Sequence, residues 1–145
     1  MKYIISACLC GYNCKYNGKN NLNKNIKKIY DNHDAILVCP EVMGGLDTPR
    51  VPCEIVGNMV INKEGRDCTK EYTLGAEKTL KVCLENNIKC AILKEKSPSC
   101  GVNYIYDGTF NNNLIEGCGI TTRLLRENNI EVISDVMFGE DNEEK

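Results

Sequence analysis

Apolar residues fall along this chain in short blocks whose period switches between two and nearly four. Residues 3–9 are apolar and β-branched without a helical stripe, the pattern of a short buried strand. A polar loop from Gly11 to Gly18 follows, then a helix over 22–30. Residues 35–39 predict a second buried strand, halted by Pro40. Gly44, Gly45, Pro49 and Pro52 then punctuate a long irregular loop. Residues 58–62 read as a short edge strand before a turn at Glu64-Gly65. Asp67 or Thr69 can cap a helix running to about Asn86, with Leu74, Ala76, Leu80 and Leu84 near helical spacing. A third buried strand covers 90–94, and Pro98 and Gly101 break the chain beyond it. Residues 104–106, Asp107-Gly108 and Thr109-Phe110 predict a small hairpin. A last helix runs from Gly119 through Ile120, Leu124 and Leu125 to Asn128-Asn129, and 131–134 form a fourth strand.

Strands alternating with helices predict an α/β fold, an open, mainly parallel sheet with flanking helices of Rossmann-like type. The chain has 145 residues, the size of one ordinary domain. That domain is expected over residues 1–139, and the acidic stretch 140–145 is expected to fray. No internal repeat or low-complexity segment is present.

Composition narrows the function. Hydrophobic residues make up 42% and charged residues 26%, a globular balance. The net charge of -2 argues against a broad nucleic-acid surface. No apolar run approaches the ~18 residues of a membrane span. Seven residues precede Cys8, fewer than the roughly 15–30 of a secretory leader. The expectation is therefore a cytoplasmic protein with reduced thiols.

Against that ordinary background stand ten cysteines beside one histidine and no tryptophan. No Cys-x-x-Cys pair occurs, which counts against zinc ribbons, thioredoxin-type motifs and the bacterial ferredoxin run. His33 sits in a polar turn, Asp31-Asn32-His33-Asp34, and reads as a solvated residue. Cys53, Cys68, Cys83, Cys90 and Cys118 read as small packed hydrophobes.

Three other cysteines share a position. The first and second predicted strands end at Cys8 and Cys39, and the third is followed closely by Cys100. In open α/β sheets ligands gather at the carboxyl ends of the strands. Neighbouring parallel strands would place these thiols roughly 5–10 Å apart on one edge. Soft thiolates at that spacing suit an iron–sulfur cluster. Cys10 and Cys14 share the loop of Cys8, so either could substitute as a ligand. Structural zinc with a fourth cysteine is the competing metal.

Ser6-Ala7-Cys8-Leu9-Cys10-Gly11 with Cys14-Lys15-Tyr16-Asn17-Gly18 resembles the opening signature of the thiouracil desulfurase family. Cys39-Pro40-Glu41-Val42-Met43-Gly44-Gly45-Leu46-Asp47-Thr48-Pro49-Arg50 is similar to its second block. Leu93-Lys94-Glu95 and Ser97-Pro98-Ser99-Cys100-Gly101 are similar to its third. Weaker blocks, Gly65–Thr69, Tyr106–Phe110 and Gly117–Thr121 among them, extend the likeness over nearly the whole chain. The resemblance implies a [4Fe-4S] cluster held by Cys8, Cys39 and Cys100, with Glu41 and Ser97 as catalytic residues. Cys10, Cys14 and Cys53 are thiols beyond the family's pattern.

The same resemblance implies an enzyme that removes sulfur from a small-molecule thiolated nucleobase such as thiouracil, releasing sulfide and uracil without net redox change. Three protein thiolates leave one iron open, and a soft thiocarbonyl sulfur should prefer it. Glu41 would move protons and Ser97 would hydrogen-bond the intermediate, with Arg50 and Lys94 as candidates to orient the base or hold an anion. Two rivals are weighed against this. One is desulfuration of thiolated nucleoside in tRNA, which the acidic balance disfavours. The other is a non-catalytic iron–sulfur or zinc sensor.

Overall fold

The computed structural model describes residues 2–139. In chain order it contains β1 (Lys2–Ser6), a 3-10 turn (Ala7–Cys10), α1 (Lys24–Asn32), β2 (Asp34–Val38), α2 (Pro40–Met43), β3 (Cys53–Val56), β4 (Met59–Asn62), α3 (Thr69–Glu85), β5 (Cys90–Leu93), β6 (Tyr104–Tyr106), β7 (Leu114–Glu116), α4 (Ile120–Glu127), β8 (Glu131–Ser134) and a closing 3-10 turn (Asp135–Phe138). Four strands form a parallel sheet in the order β2-β1-β5-β8, the open α/β architecture expected from the sequence. The acidic stretch expected to fray lies outside the described residues.

Side chains on successive strand positions point to opposite faces, and the core divides accordingly. Ile4, Ala91, Leu93 and Val132 pack with Cys83 of α3 and Leu125 of α4 on one face. Ile5 and Ile92, one position along, pack with Leu9, Cys10 and Ile26 of α1 on the other. All four residues of the central strand β5 are buried, as in a strand covered on both faces.

The strand order also fixes where a ligand can sit. From β1 the chain moves through α1 to β2 on one side. It then crosses through α3 to β5 on the other side of β1. A crevice opens where the order reverses, at the carboxyl ends of β1 and β5. The two small antiparallel hairpins, β3-β4 and β6-β7, stand apart from the parallel sheet and touch each other through β3 and β6.

Several local expectations are corrected. The first strand stops at Ser6, so Cys8 lies in a 3-10 turn rather than in the strand itself. The first helix starts at Lys24, because Asn23 accepts from the backbone N–H groups of Asn25 and Ile26 and caps it. Pro40 starts a short helix as well as ending a strand, since proline's fixed φ suits the first helical position. The predicted edge strand is half of a hairpin, and its partner β3 is a strand the sequence pattern does not predict. Residues 104–106 pair with 114–116 instead of 109–110, leaving 107–113 as a long connecting loop.

Two glycines let α2 lie against the long helix. A Cβ at Gly44 would stand 1.9 Å from the Glu71 carbonyl oxygen, and one at Gly75 would stand 1.9 Å from that of Pro40. The backbones of α2 and α3 therefore meet without side chains between them, which fixes Cys39 and Glu41 against α3. Alanine at Gly75 should gain about 1 kcal/mol of helix propensity, yet backbone overpacking costs about 1–3 kcal/mol, occasionally more. Because the 1.9 Å clash is with backbone, the cost falls at the top of that range, and the expected result for Gly75→Ala is a net loss of about 2 kcal/mol in urea denaturation. A variant as stable as the parent would show that this close contact does not form.

Candidate active site

A cavity of about 460 Å³ lies at the carboxyl edge of the sheet, and Cys8, Cys39, Cys100, Glu41 and Ser97 all line it. Cys8 comes from the 3-10 turn after β1, Cys39 from the residue that starts α2, and Cys100 from the loop after β5. Three stretches far apart in sequence thus bring these thiols to one cavity, which Cys14 and Cys53 also line.

The alternatives left open by the sequence separate here. Cys10 is 4% exposed and packs with Ile5, Leu9 and Ile26 beneath the sheet, away from the cavity. Cys14 does line the cavity, within hydrogen-bond reach of both the Cys8 and Cys39 thiols. Cys83 and Cys90 are packed in the interior, and burial pushes the Cys83 thiol up to about 11. Cys53 and Cys68 pack in a core cluster with Val60 and Tyr72, Cys53 also forming part of the cavity wall, whereas Cys118 is only half-buried. His33 ends α1, where its ring meets Tyr3 edge-on at 6.0 Å.

The thiols differ in acidity for physical reasons. Cys39 Sγ donates to the Cys14 carbonyl oxygen at 3.7 Å, and the Cys14 thiol faces those of Cys8 and Cys39, which strongly disfavours its own ionisation. The same contact draws Cys8 below the usual thiol value, and Cys39 down to about 7 with help from the Val42 backbone N–H. Burial pushes Cys100 up to about 12, partly opposed by the hydroxyls of Ser99 and Ser6. The sulfurs also have outer partners: Asn21 Nδ2 donates to Cys8 Sγ at 3.5 Å, and Ser99 Oγ to Cys100 Sγ at 3.5 Å. Such donors orient metal ligands and tune the group they hold.

Glu41 is the centre of a hydrogen-bond network. Its Oε1 accepts from Arg50 Nε at 2.9 Å, in a pair whose side chains are 12% and 8% exposed respectively. Its Oε2 lies 3.3 Å from Ser97 Oγ and 3.2 Å from Ser99 Oγ. Ser97 Oγ accepts from the backbone N–H groups of Ser99 and Cys100, so its hydrogen is left to point at Glu41. Ser99 has one hydrogen and three acceptors in reach: Glu41, Ser97 and the Cys100 sulfur. Arg50 spends three of its four remaining N–H groups on the carbonyls of Asp47 and Cys14 and on Thr48 Oγ1. Burial works against the Arg50 charge, and Glu41 more than restores it. Lys94 lies in the same cavity and is engaged by Asp135 at 3.7 Å.

The loop carrying Ser97, Ser99 and Cys100 is clamped from behind. The carbonyls of Pro98 and Ser99 accept from the backbone N–H groups of Ile120, Thr121 and Thr122, the free donors of the first turn of α4. A Cβ at Gly119 would stand 2.4 Å from the Ser99 carbonyl, so only glycine fits. Sequence reading missed Ser99. The signal available was its place in the tight turn between Ser97 and Cys100.

The donor set fits an iron–sulfur cluster. Cys8, Cys39 and Cys100 offer sulfur alone around one cavity, without histidine and with hydrogen bonds to the sulfurs. A mononuclear zinc site needs its sulfurs about 2.3 Å from one point. Among the described residues, no three His, Cys, Asp or Glu side chains have the arrangement to hold such an ion.

Comparison with known proteins bears on what this geometry serves. The family model described as 2-thiouracil desulfurase matches residues 3–136. The chain belongs to the 2-thiouracil desulfurase family. A solved structure, described as a [4Fe-4S]-dependent thiouracil desulfidase TudS, superposes with a TM-score of 0.89 at 43% identity, covering 92% of this chain and 90% of that one. Uncharacterized protein YbbK of Bacillus subtilis (strain 168) is 41% identical over 142 residues, covering 91% of this chain and 94% of its own. Family membership agrees with the resemblance read from the cysteine blocks. Among the described residues, no helix is long and apolar enough to cross a membrane.

Behind the family's third sequence block lies a buried carboxylate. Glu95 Oε1 accepts from the backbone N–H groups of Val102, Asn103 and Tyr104, at 2.6, 2.8 and 3.1 Å. Burial opposes its ionisation, but these donors outweigh burial and hold the carboxyl below its ordinary value. A depressed folded-state value gives stability that is complete above the unfolded value of about 4.3 and is lost as pH falls through the folded one. Glu95→Gln should therefore cost about 1–3 kcal/mol at pH 7. The gap should close below about pH 4. Denaturant titration at several pH values checks this, and a gap independent of pH would refute it.

Proposed function

We propose that this protein is a [4Fe-4S]-dependent thiouracil desulfurase, converting a thiolated pyrimidine and water into the oxo-pyrimidine and hydrogen sulfide. The observation that carries the reading is the meeting of Cys8, Cys39, Cys100, Glu41 and Ser97 in one cavity. Cys8, Cys39 and Cys100 would hold the cluster as thiolates, losing their protons as it binds. Bound through three thiolates, the cluster supplies a Lewis-acidic iron with an open coordination position suited to a soft thiocarbonyl sulfur.

The protein's own groups handle water and protons. In the balanced reaction a C–S bond breaks, a C–O bond forms, and no electrons are gained or lost. Glu41 is an anion positioned by Arg50, with its second oxygen facing the two serines. It accepts a proton from the attacking water and returns it to the departing sulfur. Ser97 presents its hydrogen toward the same region and can donate to oxygen charge developing on the substrate carbon. Ser99 can turn its hydrogen between Glu41 and the Cys100 sulfur, linking the carboxylate to the ligand shell. The cavity volume lies within the range of small-molecule sites. This chemistry needs reduced thiols and so suits the cytoplasm.

Anaerobically reconstituted protein should release stoichiometric sulfide and uracil from 2- or 4-thiouracil. Singly replacing Cys8, Cys39 or Cys100 by Ser should remove bound iron and activity together, while Cys14→Ser keeps both. Glu41→Gln should retain iron and the cluster spectrum yet lower kcat by about 100-fold or more. Iron loss only in Cys14→Ser would reassign the ligand set. Full turnover by Glu41→Gln would remove its acid–base role.

A further inference from the structure

Among the described residues, five other than glycine have positive φ: Asn87, Lys96, Phe110, Asn112 and Asn129. Asn87 and Asn129 stand just past the ends of α3 and α4, where a left-handed asparagine commonly closes a helix. The other three all line the cavity. Asparagine tolerates this conformation, but a bulky aromatic residue does not, so Phe110 at φ +60° is the outlier. Strain of this kind persists only where the surroundings over-determine it, and it clusters at ligand sites.

The surroundings of Phe110 do over-determine it. Glu54, 8% exposed on β3, accepts from the backbone N–H groups of Phe110 at 3.1 Å and Gly108 at 2.9 Å. Gly108 itself has φ +93°, and a Cβ there would stand 2.7 Å from the Ile55 carbonyl oxygen. Asp107 Oδ1 accepts from Thr109 N and Oγ1, fixing the turn before it. A buried carboxylate and a tight glycine thus hold one aromatic residue in an unfavourable backbone state at the cavity wall. Tyr16, Tyr72 and Tyr106 also line the cavity, but of these four aromatic residues Phe110 alone is held at positive φ, while Phe138 packs on the far face of the sheet with Ile26.

We propose that Phe110 is the aromatic face on which the flat pyrimidine ring of the substrate stacks, a specificity-determining residue that reads ring shape and not the sulfur. The inference rests on the thiolated-pyrimidine reading above. Stacking on an aromatic side chain tolerates any planar base, because each has a π-face. Phe110 should therefore act equally on thiouracil and on uracil, which has the ring without the sulfur.

The test uses cluster-loaded protein and three variants: Phe110→Gly, which removes the ring and relieves the backbone; Phe110→Leu, which keeps apolar bulk without a π-face; and Phe110→Trp. Uracil binding is followed by titration calorimetry, and turnover of 4-thiouracil by kcat and KM. Both Gly and Leu variants should weaken uracil binding and raise KM about tenfold, with kcat, iron content and cluster spectrum little changed. Phe110→Trp should restore affinity, and Phe110→Gly should melt no lower than Phe110→Leu. Unchanged uracil affinity in Phe110→Leu, or a tryptophan variant no better than leucine, overturns the proposal. Wild-type protein that releases no sulfide, yet binds uracil in a Phe110-dependent way, would sink the desulfurase reading and leave this one standing.

Discussion

The site depends on one carboxylate shared among loops that have no other reason to meet. Glu41 sits on the four-residue helix after β2, accepts from Arg50 on one oxygen, and faces Ser97 and Ser99 on the other. Arg50 also reaches the Cys14 carbonyl, so the loop after β1 joins the same network. Each segment so linked carries one proposed cluster ligand. A nearly buried ion pair does not have to stabilise a protein, but this one fixes which side chains face the cavity. Its geometry gives the carboxylate two different neighbours, a permanent cation and a pair of hydroxyls that can move protons.

The scaffold beneath is a consequence of strand order. Placing β1 between β2 and β5 brings three carboxyl ends to one edge, where the crevice opens. Close backbone contacts then set the loops with little side-chain play. Gly44 and Gly75 seat α2 on α3, and Gly119 seats the serine loop on α4. Cys39 and Glu41 are fixed by the first contact, and Ser97, Ser99 and Cys100 by the second. Glu95 and Glu54 play matching parts further out, two buried carboxylates that gather backbone N–H groups from the loops around the cavity.

Much of this was legible beforehand, for reasons that can be traced to particular residues. The buried strands, with Ile4-Ile5 and Ala91-Ile92-Leu93, announce themselves because parallel strands covered on both faces are apolar throughout. The helix ends at Asn86 and Asn128 follow from residues that leave helices readily. Cys8, Cys39 and Cys100 stood out because strand ends are where such sheets bind ligands. What escaped was local turn chemistry and long-range contact. Pro40 signals the end of a strand but also starts a helix. Asp107-Gly108 has the form of a two-residue hairpin turn, but Gly108 serves a longer loop held by Glu54, whose carboxylate reaches across 54 to 56 residues of chain. Ser99 stands inside the third block with nothing to separate it from an ordinary turn residue, and its role emerges only when Glu41 arrives from another segment.

The most direct measurement is Mössbauer spectroscopy of protein reconstituted anaerobically with iron-57, before and after addition of 4-thiouracil to the slowly reacting Glu41→Gln form. A cluster held by three thiolates, with one iron left for the substrate, predicts a four-iron spectrum in which about one quarter of the iron responds to 4-thiouracil and the remainder does not. Protein that takes up no iron, or a spectrum in which no iron subsite distinguishes the presence of 4-thiouracil, would contradict the account.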